Sequence, residues 1–308
     1  MTPTPIILHH FDASPFSEKV RLVFGHKQLA WRSVLVPPIM PRPDLTPMTG
    51  GYRRTPTMQI GADIFCDTRV ILGEIEARYP EPTLLPRGVA GMVTALGMWT
   101  DRAFFQNTVN LVFGSLGDQV PREFIEDRER LRGGKFDISA MKAALPQMRD
   151  QFRAHVDWIE TQLASSGGEW LFGAVSLADV HAYMNVWYSQ NRVEAGAPLI
   201  AEFPRLRAWA ERLKAVGHGE RTEMTSVEAL AIATAATPTT AAAADPLDPN
   251  GRKPGDRVSV TPDDYGRIPV VGEIVALSAE RIAIRRRDEI AGDIVVHFPR
   301  AGFLVASA

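Results

Sequence analysis

The chain has 308 residues, enough for about two domains and a sizeable core. At 45% hydrophobic and 23% charged it has the composition of an ordinary globular protein, and no run of about 18 apolar residues is present to cross a bilayer as a helix. A net charge of −2 gives no overall pull toward nucleic acid or membrane surfaces, and the single Cys66 excludes an intramolecular disulfide.

Ile6, Ile7 and Leu8 form a short apolar run that fits a buried strand. Asp12 to Pro15 break the pattern, and from there Phe16, Val20, Val23 and Phe24 recur at helical spacing. Pro15 suits the first turn of that helix, with Ser14 near its cap. A strand thus delivers a serine hydroxyl to a helix N-terminus, where free N–H groups and the dipole favour an anion such as a thiolate. Trp31 to Val36 is rich in β-formers and predicts a second, parallel strand. Five prolines between Pro37 and Pro47 then exclude regular structure up to Gly50-Gly51. Thr57 to Ile60 and Ala62 to Phe65 flank Gly61 as a hairpin. Asp67-Thr68 opens the next helix, and Pro80, Pro82 and Pro86 close the first domain, residues 1–86.

Residues 87–236 read as an all-helical domain. Met141, Leu145, Met148, Phe152, Val156, Ile159 and Leu163 keep steps of three and four, and Pro146 either kinks this run or marks its true start. Ser176 to Asp179 is a capping-box pattern, with Val175 and Val180 placed as its hydrophobic staple. The charged segment from Gln119 to Asp137 is expected as an exposed helix and loop between two bundle helices. Residues 237–254 shift to Ala, Thr, Pro and Asp, the composition of a linker. Residues 255–308 hold about five short apolar runs between turn signals, which predict a small all-β, barrel-like domain able to fold alone.

Strand, turn, Ser14-Pro15-Phe16-Ser17 and helix resemble the start of a thioredoxin-like domain, and SPFSEKVR resembles the serine-type glutathione transferases. Redox relatives would carry C-P-x-C here; two serines rule out dithiol exchange at this site. The resemblance covers about residues 5–235 and implies an α/β thioredoxin-like domain followed by the helical domain, leaving the β-tail outside it. It implies that Ser14, or else Ser17, donates a hydrogen bond to the sulfur of glutathione, the co-substrate. It further implies a cis Thr55-Pro56 bond that exposes backbone to the cysteinyl unit. Asp67 and Thr68 would grip the γ-glutamyl group, with Asp-Thr in place of the usual Glu-Ser, and Arg54, with Arg53 beside it, would meet the glycine carboxylate. A homodimer is implied too.

Other residues carry open alternatives. His9 and His10 are a base if they face the cleft and packed side chains if they do not. Asp67-Thr68 is a helix cap in any case. Trp99 and Phe105 line either a core or a pocket, and Cys66 reads as a buried structural thiol. Arg285-Arg286-Arg287 is followed at once by Asp288-Glu289 and reads as a turn or edge-strand face rather than a nucleic-acid site. No metal-ligand pattern is present. The expectation is therefore a cytoplasmic glutathione transferase that joins the thiolate to a hydrophobic electrophile. Its rival is a non-catalytic adaptor on the same scaffold, with residues 255–308 contacting a protein partner.

Overall fold

A computed structural model describes residues 4–191 and 196–308. Strand β1 (Ile7–His10) leads into helix α1 (Pro15–His26), with Pro15 in the first turn and Ser14 as N-cap. Strand β2 (Ala30–Leu35) then lies parallel to β1. The proline-rich stretch holds one short turn of helix, α2 (Thr46–Thr49), which the sequence reading did not expect. The hairpin forms as β3 (Thr57–Ile60) and β4 (Asp63–Cys66), followed by α3 (Thr68–Arg78). This is the thioredoxin-like order.

The helical domain runs through α4 (Ala90–Trp99), α5 (Phe105–Leu116), α6 (Arg122–Arg132), α7 (Ile138–Ala143), α8 (Leu145–Ser165), α9 (Leu177–Asn191), α10 (Ala197–Ile200) and α11 (Pro204–Val216). Pro146 sits in the first turn of α8, so it marks the start of the helix and does not kink it. At the head of α9, Asp179 accepts from Ser176 N–H and Oγ–H, both at 2.9 Å, and also from Leu171 N–H and Trp209 Nε1–H. This box ties three segments together as well as capping one helix. After α11 the chain leaves the helical pattern. Gly217 and Gly219 adopt positive φ, and a Cβ at Gly219 would lie 2.5 Å from Leu29 O. Strand β5 (Glu220–Glu223) follows and pairs in parallel with β2 before α12 (Ser226–Ala235). Glu-Arg-Thr-Glu has no apolar alternation, so pattern reading takes it for helix or loop.

The tail forms five strands, β6 (Arg257–Pro262), β7 (Val270–Leu277), β8 (Arg281–Asp288), β9 (Gly292–Pro299) and β10 (Phe303–Ser307). They do not close on themselves. All ten strands make one sheet in the order β10-β6-β7-β8-β9-β4-β3-β1-β2-β5, joined where β9 pairs in parallel with β4. The physical reason is that β4 would otherwise present an unpaired edge, and β9 fills it. Side-chain alternation shows the consequence. Leu8 and Phe65 face a core shared with the helical domain, whereas Ile7, Ile64 and Cys66 face one shared with Val260, Ile284, Val296 and Phe298 of the tail.

The 237–254 segment is tied down rather than free. Thr239 N–H and Oγ–H and Thr240 Oγ–H donate to the Asp63 carboxylate at 2.5–2.7 Å, and His297 Nε2 lies 3.2 Å from it. Burial alone would raise the Asp63 carboxyl; these hydrogen bonds outweigh it and hold the group well below the usual carboxylate range. The β8 arginines sit in an interior strand, not at an edge. Arg286 donates to Val271 O and Pro47 O, and Arg285 lies 3.9 Å from Asp293.

Candidate functional site

Arg54, Thr55, Pro56, Asp67 and Thr68 lie in one cleft between the N-terminal domain, the junction of α4 and α5, and the tail. Thr55-Pro56 is cis and precedes β3. Asp67 caps α3 with φ of +91°, an uncommon and strained value for a residue other than glycine. Its carboxylate accepts from Arg69 N–H at 3.0 Å and Arg69 Nε–H at 3.3 Å. Thr68 is buried beside it at the first helical position, where backbone N–H groups lack intrahelical partners. Arg54, Thr55, Pro56, Asp67 and Thr68 line the same pocket. At its edge the fully buried Lys19 pairs with Asp101 at 2.5 Å, and burial pushes the Asp101 carboxyl up against the pull of that ammonium.

The tail completes this pocket, which no sequence signal announced. Asp264 pairs with Arg54, whose guanidinium also donates to Tyr265 O and stacks 4.0 Å from the Tyr265 ring. Arg102 pairs with Asp263 at 2.6 Å. The turn is braced from outside by Gly266 N–H donating to Leu131 O at 2.8 Å, and Gly302 reaches the pocket wall beside Arg69 and Arg102. The free space left is about 50 Å³, room for a few water molecules. Arg53, the other arginine expected to meet a ligand carboxylate, is held at 2.6 Å by Asp127 of α6. Both arginines are occupied by carboxylates of the same chain. The charged 119–137 segment is therefore not simply exposed: Asp127 is buried and holds Arg53, Arg128 and Met40 N–H.

Ser14 is buried and lies outside this pocket, on a neighbouring cavity that shares Phe16, Arg54, Thr55 and Tyr265 with it. The Ser14 Oγ accepts from Ser17 N–H at 3.2 Å, leaving its own proton to donate. Ser17 is also buried, and its Oγ has no partner. Phe105 lines the Ser14 cavity, whereas Trp99 stacks on Phe104 at 5.3 Å and belongs to the helical core.

His9 and His10 are fully buried and away from the cleft, bonded to Gln59 Oε1 and Ser33 Oγ at 2.9 and 3.0 Å. Burial lowers His9 to about 4; burial, with Arg21 close by, lowers His10 to about 3. Both are neutral packing groups. Cys66 is buried, and its thiol is pushed up by that burial. Among the described residues no group of three or more His, Cys, Asp or Glu could hold a metal ion, and no helix is long and apolar enough to cross a membrane. The sequence reading missed Asp264, Tyr265, Asp127 and Arg42. The first two lie in the turn Asp263–Gly266, and nothing in that turn points to a cleft 200 residues upstream.

Comparison with known proteins identifies the fold. Residues 8–83 match the glutathione S-transferase N-terminal domain and residues 142–212 the C-terminal domain. A curated relative, FtsZ-localized protein A of Caulobacter vibrioides, is 35% identical over 181 residues, 57% of this chain and 73% of that protein. A crystal structure of a GST-like protein from Pseudomonas syringae is 36% identical, with TM-score 0.82, and covers 99% of this chain and 100% of its own, so the likeness extends through the β-tail. The structure of FzlA from C. crescentus is 27% identical over 68% of this chain and 88% of its own, with TM-score 0.52. With both domains matched and essentially the full length shared with a GST-like protein, the chain belongs to the glutathione S-transferase family.

Proposed function

We propose that this chain is a transferase-fold binding protein, an adaptor for a protein partner, rather than a conjugating enzyme. The observation that carries the reading is the occupied arginine: Asp264 pairs with Arg54 and the Tyr265 ring lies over its guanidinium, where the glycine carboxylate of a tripeptide would have to bind. A carboxylate already paired with Arg54 competes with the glycine carboxylate of glutathione for the same fork. The relative named for its localization with FtsZ supports a protein partner, and FtsZ is the first candidate to test. The continuous β-tail offers surface that conjugation does not require. A cytoplasmic setting and a homodimer belong to the same proposal.

One observation favours a second reading. Ser14 keeps a free proton at a helix N-terminus, the arrangement that would stabilise a glutathione thiolate for attack on a hydrophobic electrophile. In that reading Arg54, Thr55, Pro56, Asp67 and Thr68 hold glutathione once the tail loop has moved aside. Isothermal calorimetry with glutathione, run beside co-sedimentation with purified FtsZ, separates the two. The adaptor reading expects co-sedimentation and no saturable glutathione binding at millimolar concentration. Sub-millimolar glutathione binding with turnover of an aryl chloride would overturn it.

A further inference from the structure

The run Arg285-Arg286-Arg287 takes no part in the cleft, yet no other three consecutive residues of the chain are all cationic. Strand alternation splits it. Arg286 points inward, donating to Val271 O and Pro47 O, both at 3.2 Å. Its stem crosses β7 at Gly272, where a Cβ would lie 3.2 Å from Arg286 Cγ. Arg285 and Arg287 point outward and are exposed. Register sets Arg257 of β6 opposite Glu273 of β7, and Glu273 opposite Arg285; Arg287 lies opposite Asp293 of β9. Residues directly opposite in an antiparallel pair share a face.

These side chains line an open groove of about 850 Å³ on the outer face of the tail. Four arginines meet two carboxylates there, an excess of two positive charges in a chain whose net charge is −2. The carboxylates do little to quench it. Arg285 lies 3.9 Å from Asp293, both about half exposed. Among the described residues no carboxylate pairs with Arg257, Arg286 or Arg287, and no cation pairs with Glu273.

The groove has no aromatic lining on which a base could stack, and a continuous row of phosphates would run over Glu273 and Asp293. A protein segment suits the mixed charge better. Its acidic side chains meet the free guanidiniums, and its backbone N–H groups can face the two carboxylates. Arg257 and Arg287 stand two strands and two residues apart, a diagonal of about 12 Å. Residues four apart in an extended chain lie on one face about 13 Å from each other, so acidic residues at that spacing reach both arginines.

We propose that this groove docks an extended acidic segment of a protein partner, with carboxylates on Arg257 and Arg287. The inference rests on the adaptor reading and adds to it the place on the tail where the partner lies and the chemistry that holds it.

The test is fluorescence anisotropy of the full-length chain with a labelled Ser/Gly peptide carrying two glutamates four positions apart. The same peptide with glutamines, and a single-stranded oligonucleotide of similar length, are run beside it. Saturable sub-millimolar binding of the acidic peptide is expected, weakening with added salt. The glutamine peptide and the oligonucleotide should bind about tenfold more weakly or worse, since each exposed charge contact contributes a factor of up to about five. Arg257→Gln/Arg287→Gln should lose the same factor. Arg122→Gln/Arg149→Gln, which removes two exposed charges of the helical domain, should bind as the wild type does. Four results would overturn the proposal: no saturable acidic-peptide binding at millimolar concentration, equal affinity for the glutamine peptide, tighter binding of the oligonucleotide, or equal affinities of the two double variants. The titration decides the groove whether or not FtsZ co-sediments with the chain, so failure of that partner and failure of the groove are separate results.

Discussion

Removing the Asp264 carboxylate should open the Arg54 pocket, and on the glutathione reading admit the tripeptide. The Asp264 side chain is 32% exposed and that of Arg54 14%, so their pair is partly shielded from water. A hydrogen bond to a charged group contributes about 1.5–3 kcal/mol to a closed state; partial exposure brings this pair to about 1–2 kcal/mol. That range is a factor of roughly 5–30 in the balance between a loop that covers the pocket and one that has left it. A ligand that needs the open form binds with its intrinsic constant divided by the open fraction, so Asp264→Ala should tighten apparent glutathione affinity by the same factor. The second contact, Arg102 with Asp263, joins side chains that are 42% and 34% exposed and contributes less than about 1 kcal/mol. Asp263→Ala alone should therefore do little, and the double variant should exceed Asp264→Ala only modestly. Calorimetry of the three variants and the wild type against glutathione reads this directly, with melting curves to show that each is folded. A folded Asp264→Ala chain that binds glutathione no better than the wild type would refute the argument that the tail loop is what closes the pocket.

Three further outcomes follow from the same geometry. Ser14→Ala removes the cap that accepts from Ser17 N–H and should cost about 1 kcal/mol, lowering the melting temperature by about 2–4 °C in calorimetry; an unchanged melt would show that the cap contributes nothing. His9 and His10 stay neutral in the fold down to about pH 4 and 3, whereas the unfolded chain takes up protons near 6.5. Stability present at neutral pH is therefore lost progressively as pH falls below about 6.5, and Asp63, whose carboxyl is held low in the fold, adds a further loss below about pH 4. A melting temperature that stays flat between pH 7 and pH 5 would contradict the assignment of both histidines as buried neutral groups. Deleting residues 255–308 uncovers the β4 edge and the apolar face of Ile64 and Cys66, so the shortened chain should aggregate; a soluble species with a cooperative melt would show that the N-terminal core does not need the tail.

Local patterns made the first two domains legible. Ser14-Pro15 at a helix start, Gly61 between two apolar runs, Asp67-Thr68 before a helical stripe and Ser176 to Asp179 as a capping box each depend on residues a few positions apart. Pro146 carried the right alternatives, and the structure selects the helix start. The five tail strands were legible for the same reason, since alternation and turn residues are local. What escaped were features whose partners are remote. Strand β5 is held by β2 and by the approach of Gly219 to Leu29, with no pattern of its own. Asp127 sits in a helix that reads as all surface, yet it is buried because Arg53 and Arg128 come to it.

The tail shows why a correct list of strands leaves their partners undecided. Counting strands says how many backbone edges exist, but not which edge meets which. Five strands of this length can close as a barrel or extend a sheet that already exists, and the apolar alternation is the same in both cases. The choice was made in the N-terminal domain, where β4 alternates Asp63, Ile64, Phe65 and Cys66 and buries all four. A strand buried on both faces needs a cover on each, and the helical domain supplies only one. The other face, together with the open β4 edge, calls for a partner, and β9 with its neighbours meets both needs. Once β9 is paired there, the turns at the far side of the tail are carried to the cleft: Asp263 to Gly266 and Gly302 arrive at Arg54, Arg69 and Arg102. Closure of the pocket is thus a consequence of strand pairing rather than a separate device. A change that loosens β9 from β4 should open the Arg54 pocket as surely as one that removes Asp264.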